Sequence, residues 1–338
     1  MPVSVEYINK LPKAELHLHI EGSLEPEFMF ELAQRNNVKI PYNSVEEVRA
    51  AYKFHNLQSF LDIYYAGASV LLKREDFAEL LLHYARRAHQ DGVVHAEFFF
   101  DPQTHTDRGL PFELVFEGLR DGMAIANKEL GMTFKIILSF LRHLSEEAAF
   151  ATLEAAKPFL DRIDGVGLDS SELGNPPEKF ARVFAAAKEL GLPRVAHAGE
   201  EGPPAYIWDS LKLLDVCRVD HGVATSKDPE LYEHIIKTQM PLTTCPCSNV
   251  SLRVFNDFKD LNVIELLRAG VCVTINSDDP AYFGGYISKN FEVLEAVGMT
   301  AEEAAKMAKN SFTASWLDEE SKARWSAKVD EVLKEYIA

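Results

Sequence analysis

Cysteine is scarce: the 338-residue chain has four, Cys217, Cys245, Cys247 and Cys272. They are too few, and lie in stretches too apolar, to form a disulfide framework, so the expected setting is a reducing one, the cytoplasm. Positive charge is also in short supply. Lys and Arg number 35 against 52 Asp and Glu, a net charge of −17, whereas a protein that follows a phosphate backbone needs clustered Lys and Arg. Nucleic acid is therefore not an expected partner. No apolar stretch approaches the roughly 20 residues of a membrane-crossing helix, and the N-terminus lacks the basic start and apolar run of a signal peptide, so no membrane partner is expected. Repeats, low-complexity tracts and Gly/Ser linkers are missing too, which points to one domain over 1–338. Neither a G-x-G-x-x-G after the first strand nor a P-loop occurs, which argues against a doubly wound nucleotide-binding sheet.

The composition itself is ordinary for a globular chain, 47% hydrophobic and 26% charged, and this length supports a large core without staples. Short runs rich in Val, Ile, Leu and Phe recur at 14–20, 92–100, 133–140, 165–171, 193–199, 217–222, 241–246 and 271–278. Continuous apolar character without strict alternation is what a parallel sheet covered on both faces produces. Segments of helical spacing lie between them, at 110–131, 145–160 and 177–191, the last opened by Pro177 and closed by Gly191. Strand alternating with helix eight times predicts an α/β fold, a (β/α)8 TIM barrel. Residues 44–90 exceed one crossover helix and are expected to add a helical segment near the barrel mouth. The stretches after Met299 are expected as closing C-terminal helices.

A barrel places its chemistry at the C-terminal ends of its strands. The first run carries His17 and His19, the fifth His197 followed by Glu200, the sixth Asp220-His221, and the eighth Asp278-Asp279. His17 and His19 are two apart in a strand, so both face one side and can share a metal ion. An H-x-H alone arises often by chance among 11 histidines; a third His and a carboxylate at equivalent positions on other strands lift the pair. Three imidazoles and a carboxylate suit Zn²⁺, with iron or manganese as alternatives. Glu200 lies where a carboxyl group could shuttle protons. The Asp278-Asp279 doublet is costly unless a cation or hydrogen bonds stabilise it, and Pro280 ends the strand there. His95-Ala96-Glu97 and Pro246-Cys247 echo a zinc-deaminase signature, but position 250 is Val and His95 is mid-strand.

The motifs HLHIEGS (17–23), HAGE (197–200), DHG (220–222), CPCSN (245–249) and NSDDP (276–280) resemble, in order, those of the adenosine/adenine deaminase family within the amidohydrolase barrels. The resemblance runs from about Leu11 to Asn310 and is strongest to the adenine deaminase branch, through 167–177 and 197–207. It implies one metal ion per chain held by His17, His19, His197 and Asp278, a proton from Glu200 to purine N1, a water oriented by His221, and Asp279 on N7. It implies a small purine as partner and leaves oligomeric state open. Glu21 and Glu172 stand where the nucleoside branch typically has Asp and Gly, so both are expected to fill the ribose pocket or bond the ring N–H of adenine. The alternatives at this point are adenosine or an N6-substituted adenine as substrate, a metal-dependent amide or phosphoester hydrolase, or an inactive binding protein.

Overall fold

Residues 3–338 are described by the structure, a computed structural model. Eight parallel strands form two four-stranded sheets in sequential order. The first holds β1 (Lys13–Glu15), β2 (Val93–Phe100), β3 (Thr133–Leu141) and β4 (Gly165–Asp169). The second holds β5 (Val195–Ala198), β6 (Arg218–His221), β7 (Leu242–Thr244) and β8 (Val273–Ile275). Single bridges close the ring: Val166 with Arg194 between the halves on one side, Leu18 with Asp278 on the other. With helices packed outside, this is the expected (β/α)8 barrel.

The seam between β1 and β8 departs from expectation. The runs at 14–20 and 271–278, read as full strands, are regular only over Lys13–Glu15 and Val273–Ile275. Side chains replace the ladder beyond those points. The Leu16 N–H donates to Asn276 Oδ1 at 2.8 Å, and the N–H and hydroxyl of Ser277 donate to the Glu15 carboxylate at 2.9 and 2.5 Å. Backbone bonds resume at His19 N–H to Asp278 O and Asp278 N–H to His17 O, 3.0 and 3.1 Å. The two segments carrying HLH and SDD are thus fixed to each other but freed from a pleat.

Two helices also end differently. The 145–160 stretch is α-helical over Glu146–Ala156 and continues as a 3₁₀ turn around Pro158, which cannot donate to the helical ladder. The 177–191 stretch starts as a 3₁₀ turn at Pro177–Phe180 before its α-helix, Ala181–Glu189. The added segment near the mouth is present as Val45–Ala51 and Leu57–Ala68. The latter starts at a capping box: Asn56 Oδ1 accepts from the Ser59 N–H, and Ser59 Oγ accepts from the Asn56 N–H. Its apolar face covers the strand ends. The closing helices are Ala301–Ala314 and Glu319–Ile337. Ser311 Oγ accepts from Ala14 N–H, and Asn310 donates to Val273 O, tying the first of them to both sides of the seam. The HAE decoy belongs to the barrel floor, where Glu97 pairs with buried Arg218 at 2.7 Å and His95 bonds Thr133 Oγ1.

Candidate active site

A cavity of about 370 Å³ lies at the C-terminal ends of the strands. Its floor is His19, His197, His221, Asp278 and Asp279, its walls include Asp101, Asp169 and Glu200, and Leu57, Phe60, Leu61 and Tyr64 from the mouth helix cover it. This volume takes a small heterocycle and no macromolecule.

The five residues of the sequence-derived metal cluster and its neighbour converge. His17 Nε2 and His19 Nε2 stand 3.3 and 3.4 Å from Asp278 Oδ1, and the Nε2 atoms of His19 and His197 are 3.1 Å apart. These are the edge lengths of a donor tetrahedron, about 3.4 Å for bonds of about 2.0–2.1 Å. His17 Nε2 is buried with no hydrogen-bond partner. Facing lone pairs at such distances repel unless a proton or cation lies between them. His17, His197, His221 and Asp278 each place a donor atom within 4.8 Å of the others, a set that fits a divalent ion, and His19 joins it through Asp278 and His197. His221 also lies within reach, its Nε2 3.8 Å from Asp278 Oδ2 and 3.6 Å from Glu200 Oε2.

What stands behind each ring separates ligand from neighbour. The Nδ1–H of His17 donates to Thr243 Oγ1 (2.9 Å), whose hydroxyl donates to Asp220 Oδ1 (2.9 Å). His197 Nδ1 faces Asp220 Oδ2 at 3.6 Å, and His19 Nδ1 faces Asp169 Oδ2 at 3.5 Å. A carboxylate behind Nδ1 fixes the tautomer that leaves Nε2 free to bind metal. His221 differs: the amide of Asn249 donates to its Nδ1 at 3.4 Å, so the proton belongs on Nε2. Asn249, from the CPCSN motif, and Asp169, Asp220 and Thr243 went unassigned in the sequence. Their signal was faint, a buried polar residue at or just past a strand end.

Electrostatics sort the acids. Burial, then the charge of Asp278 beside it, pushes Glu200 well above the ordinary carboxylate value, and the same two causes push Asp279 well up. Burial would raise Asp278 as well, but His17, His221 and His19 outweigh it and hold it well below. The two acids of one doublet are thus pushed in opposite directions, the pattern of divided roles. Burial first, and then His17, lowers His221 to about 3, so it is a neutral imidazole. Asp278 and His221 both hold positive φ, +64° and +61°, a backbone strain that tends to gather at functional sites.

The specificity expectation for Glu172 is corrected. Its carboxylate accepts from four successive N–H groups, Gly199, Glu200, Glu201 and Gly202, at 2.6, 3.1, 2.9 and 2.8 Å. These bonds hold the loop that carries Glu200, and Glu172 does not line the cavity. Gly202 permits this, since a Cβ there would overlap the Glu172 carboxylate. Glu21 is likewise outside the cavity lining; its Oε1 accepts from the Asp101 N–H (3.2 Å) and from His105 Nε2 (2.8 Å).

Fold and donor set define the class: an α/β-barrel hydrolase with a histidine–carboxylate centre at its strand ends. The sequence model of the family described as adenosine deaminase matches residues 12–332, and the chain belongs to that family. It is 56% identical over 328 residues to an adenine deaminase of Acinetobacter baylyi, covering 97% of this chain and 99% of that one. Among solved structures, an adenine deaminase of Arthrobacter aurescens superposes with a TM-score of 0.94 at 44% identity, over 96% of this chain and 99% of its own. An amidohydrolase from Burkholderia ambifaria with bound Zn gives 0.91 at 25% identity, over 99% and 96%.

Proposed function

We propose that this protein hydrolyses adenine to hypoxanthine and ammonia. The observation that carries it is the pair of buried carboxyl groups of Glu200 and Asp279, each pushed upward by burial and by Asp278, flanking one metal donor set in a chain 56% identical to an adenine deaminase over 97% of its length. The ion is read as zinc, one per chain, held by His17, His19, His197 and Asp278; the carboxylate-backed rings support that choice of ligands, and the three-nitrogen, one-oxygen set also suits iron or manganese. Such an ion, when bound, acts as a Lewis acid and brings the pKa of a coordinated water to about 7.

The chain's own groups do the rest. Adding water's oxygen to C6 breaks ring aromaticity and pushes an electron pair onto N1, and the Glu200 carboxyl, with Oε1 unpartnered, supplies the proton that neutralises it. The Nε2–H of His221, set by Asn249, orients the water so that a lone pair points at C6. Asp279, neutral and with Oδ1 unpartnered, donates to N7. The C6–N6 bond then breaks, one proton of water leaves with the amine as ammonia, the other restores the Glu200 carboxyl, and a 6-oxopurine remains. A reducing cytoplasm suits the four free thiols, and no helix among the described residues is long and apolar enough to cross a membrane.

Ammonia release measured side by side on adenine, adenosine and an N6-alkyladenine tests this assignment. Adenine is expected to be fastest; adenosine outpacing it would overturn the choice of substrate.

A further inference from the structure

Of the five acidic side chains that line the cavity, four have a task in the adenine reading. Asp278 is a ligand, Asp279 and Glu200 meet the purine, and Asp169 stands behind His19. Asp101 has none. It directly follows Phe100, the last residue of β2. Two residues before it, Phe99 faces inward and packs on the rings of His17, His19 and His197, with centroids 5.1, 4.9 and 5.3 Å away. Asp101 lines the same cavity, with a carboxylate oxygen within 4.8 Å of donor atoms of His19 and Asp169. Its backbone N–H is held by Glu21, and its Oδ2 accepts from the Tyr64 hydroxyl of the mouth helix at 3.2 Å. Its Oδ1 is buried and receives no N–H or O–H; the Asp169 carboxyl lies beside the group, and burial together with the charge of Glu21 pushes Asp101 up to about 8. A buried acceptor left unpaired is costly, and this one borders the cavity.

A purine with C6 on the floor, N1 at Glu200 and N7 at Asp279 turns its N3–N9 edge toward the mouth. Free adenine carries its ring proton on N9 in its major tautomer. We propose that Asp101 reads free adenine by accepting a hydrogen bond from N9–H through Oδ1, with Tyr64 and Glu21 positioning it. A nucleoside has no N9–H, and its sugar would have to displace Asp101 and Tyr64. This inference rests on adenine deamination and moves the specificity expected of Glu172 and Glu21 to a third carboxylate, to which Glu21 is a support.

The probes are adenine and 9-methyladenine, which differ at N9 alone, on wild type and Asp101→Leu with bound metal measured in each. The Leu variant keeps the branched shape while removing both acceptor oxygens, so any steric penalty on the methyl group stays nearly constant. The expected result is a fall of about 10- to 100-fold in kcat/KM for adenine, a change below about threefold for 9-methyladenine, and unchanged metal content. An unaltered adenine to 9-methyladenine ratio in the metal-replete variant overturns the proposal. Wild type supplies an arm that does not depend on a variant folding: 9-methyladenine should be at least about tenfold poorer than adenine, and equal turnover overturns the proposal. Wild type that releases no ammonia from adenine sinks the functional reading itself, a result distinct from either.

Discussion

Glu200 shows how much one residue depends on its surroundings. A carboxyl group in water is ionised at neutral pH and has no proton to give. Here burial and the neighbouring Asp278 push its carboxyl well above the ordinary carboxylate range, and four backbone amides clamped by Glu172 fix the loop from which it projects. Its value lies in a transferable proton, not in charge. Glu200→Gln preserves shape and hydrogen-bonding size while deleting that proton. The expected outcome is retained metal with kcat lowered by about 10²- to 10⁴-fold, measured by ammonia release with elemental analysis. Full turnover by a metal-replete Gln variant would show that another group protonates N1. Glu172 marks the limit of reasoning by residue type. Its position after β4 was legible, and its chemistry as an acceptor was right. Which donors it meets is decided by the loop after β5, far away in sequence.

At the scale of elements, the site is made where β1 and β8 stop being strands. The 3₁₀ turn Glu21–Ser23 that follows β1 meets the start of the short helix Pro280–Phe283 that follows β8. Gly22 is the point of closest approach: a Cβ there would overlap the Asp279 carboxylate, backbone against a catalytic side chain with no slack. Gly22→Ala should therefore displace Asp279 and cut kcat/KM for adenine by at least about tenfold while sparing the metal, since a misplaced contact at the reacting centre is costly. Unchanged kinetics in that variant would mean that Asp279 tolerates the shift and does not need its present position. The same seam explains what sequence pattern conveyed. Hydrophobic runs marked all eight strands, and polar residues at their ends marked His17, His19, His197 and Asp278, because burial on both faces leaves few polar letters in a parallel strand. The early end of β1 was not legible, since Asn276 and Ser277 replace its ladder from across the barrel. Nor were Asp169, Asp220 and Thr243 as supports of the rings: each acts on a histidine from a different strand, a relation no local period encodes.

For the molecule as a whole, the proposed metal donors are distributed between its halves. His17 and His19 follow β1 in the first sheet, while His197 belongs to β5 and Asp278 follows β8 in the second. The two sheets meet through single bridges, and one of these, Leu18 with Asp278, lies among the ligands themselves. An ion in this site consequently ties together the two half-barrels where their own hydrogen bonding is thinnest. It binds the folded chain and not the unfolded one, in which residues 17 and 278 are far apart. Mass action then stabilises the fold by about 4 kcal/mol when free metal exceeds its dissociation constant about 1,000-fold. For 338 residues the unfolding entropy is on the order of 0.7 kcal/mol/K, so stripping the ion should lower Tm by about 6 °C. Calorimetry on protein before chelation, after it, and after zinc is restored measures this. His197→Ala should show no such response, because one corner of the donor set is gone while the packed layers beneath are untouched. A Tm indifferent to verified removal of metal would mean that the barrel holds its halves together without help, and that the ion serves chemistry alone.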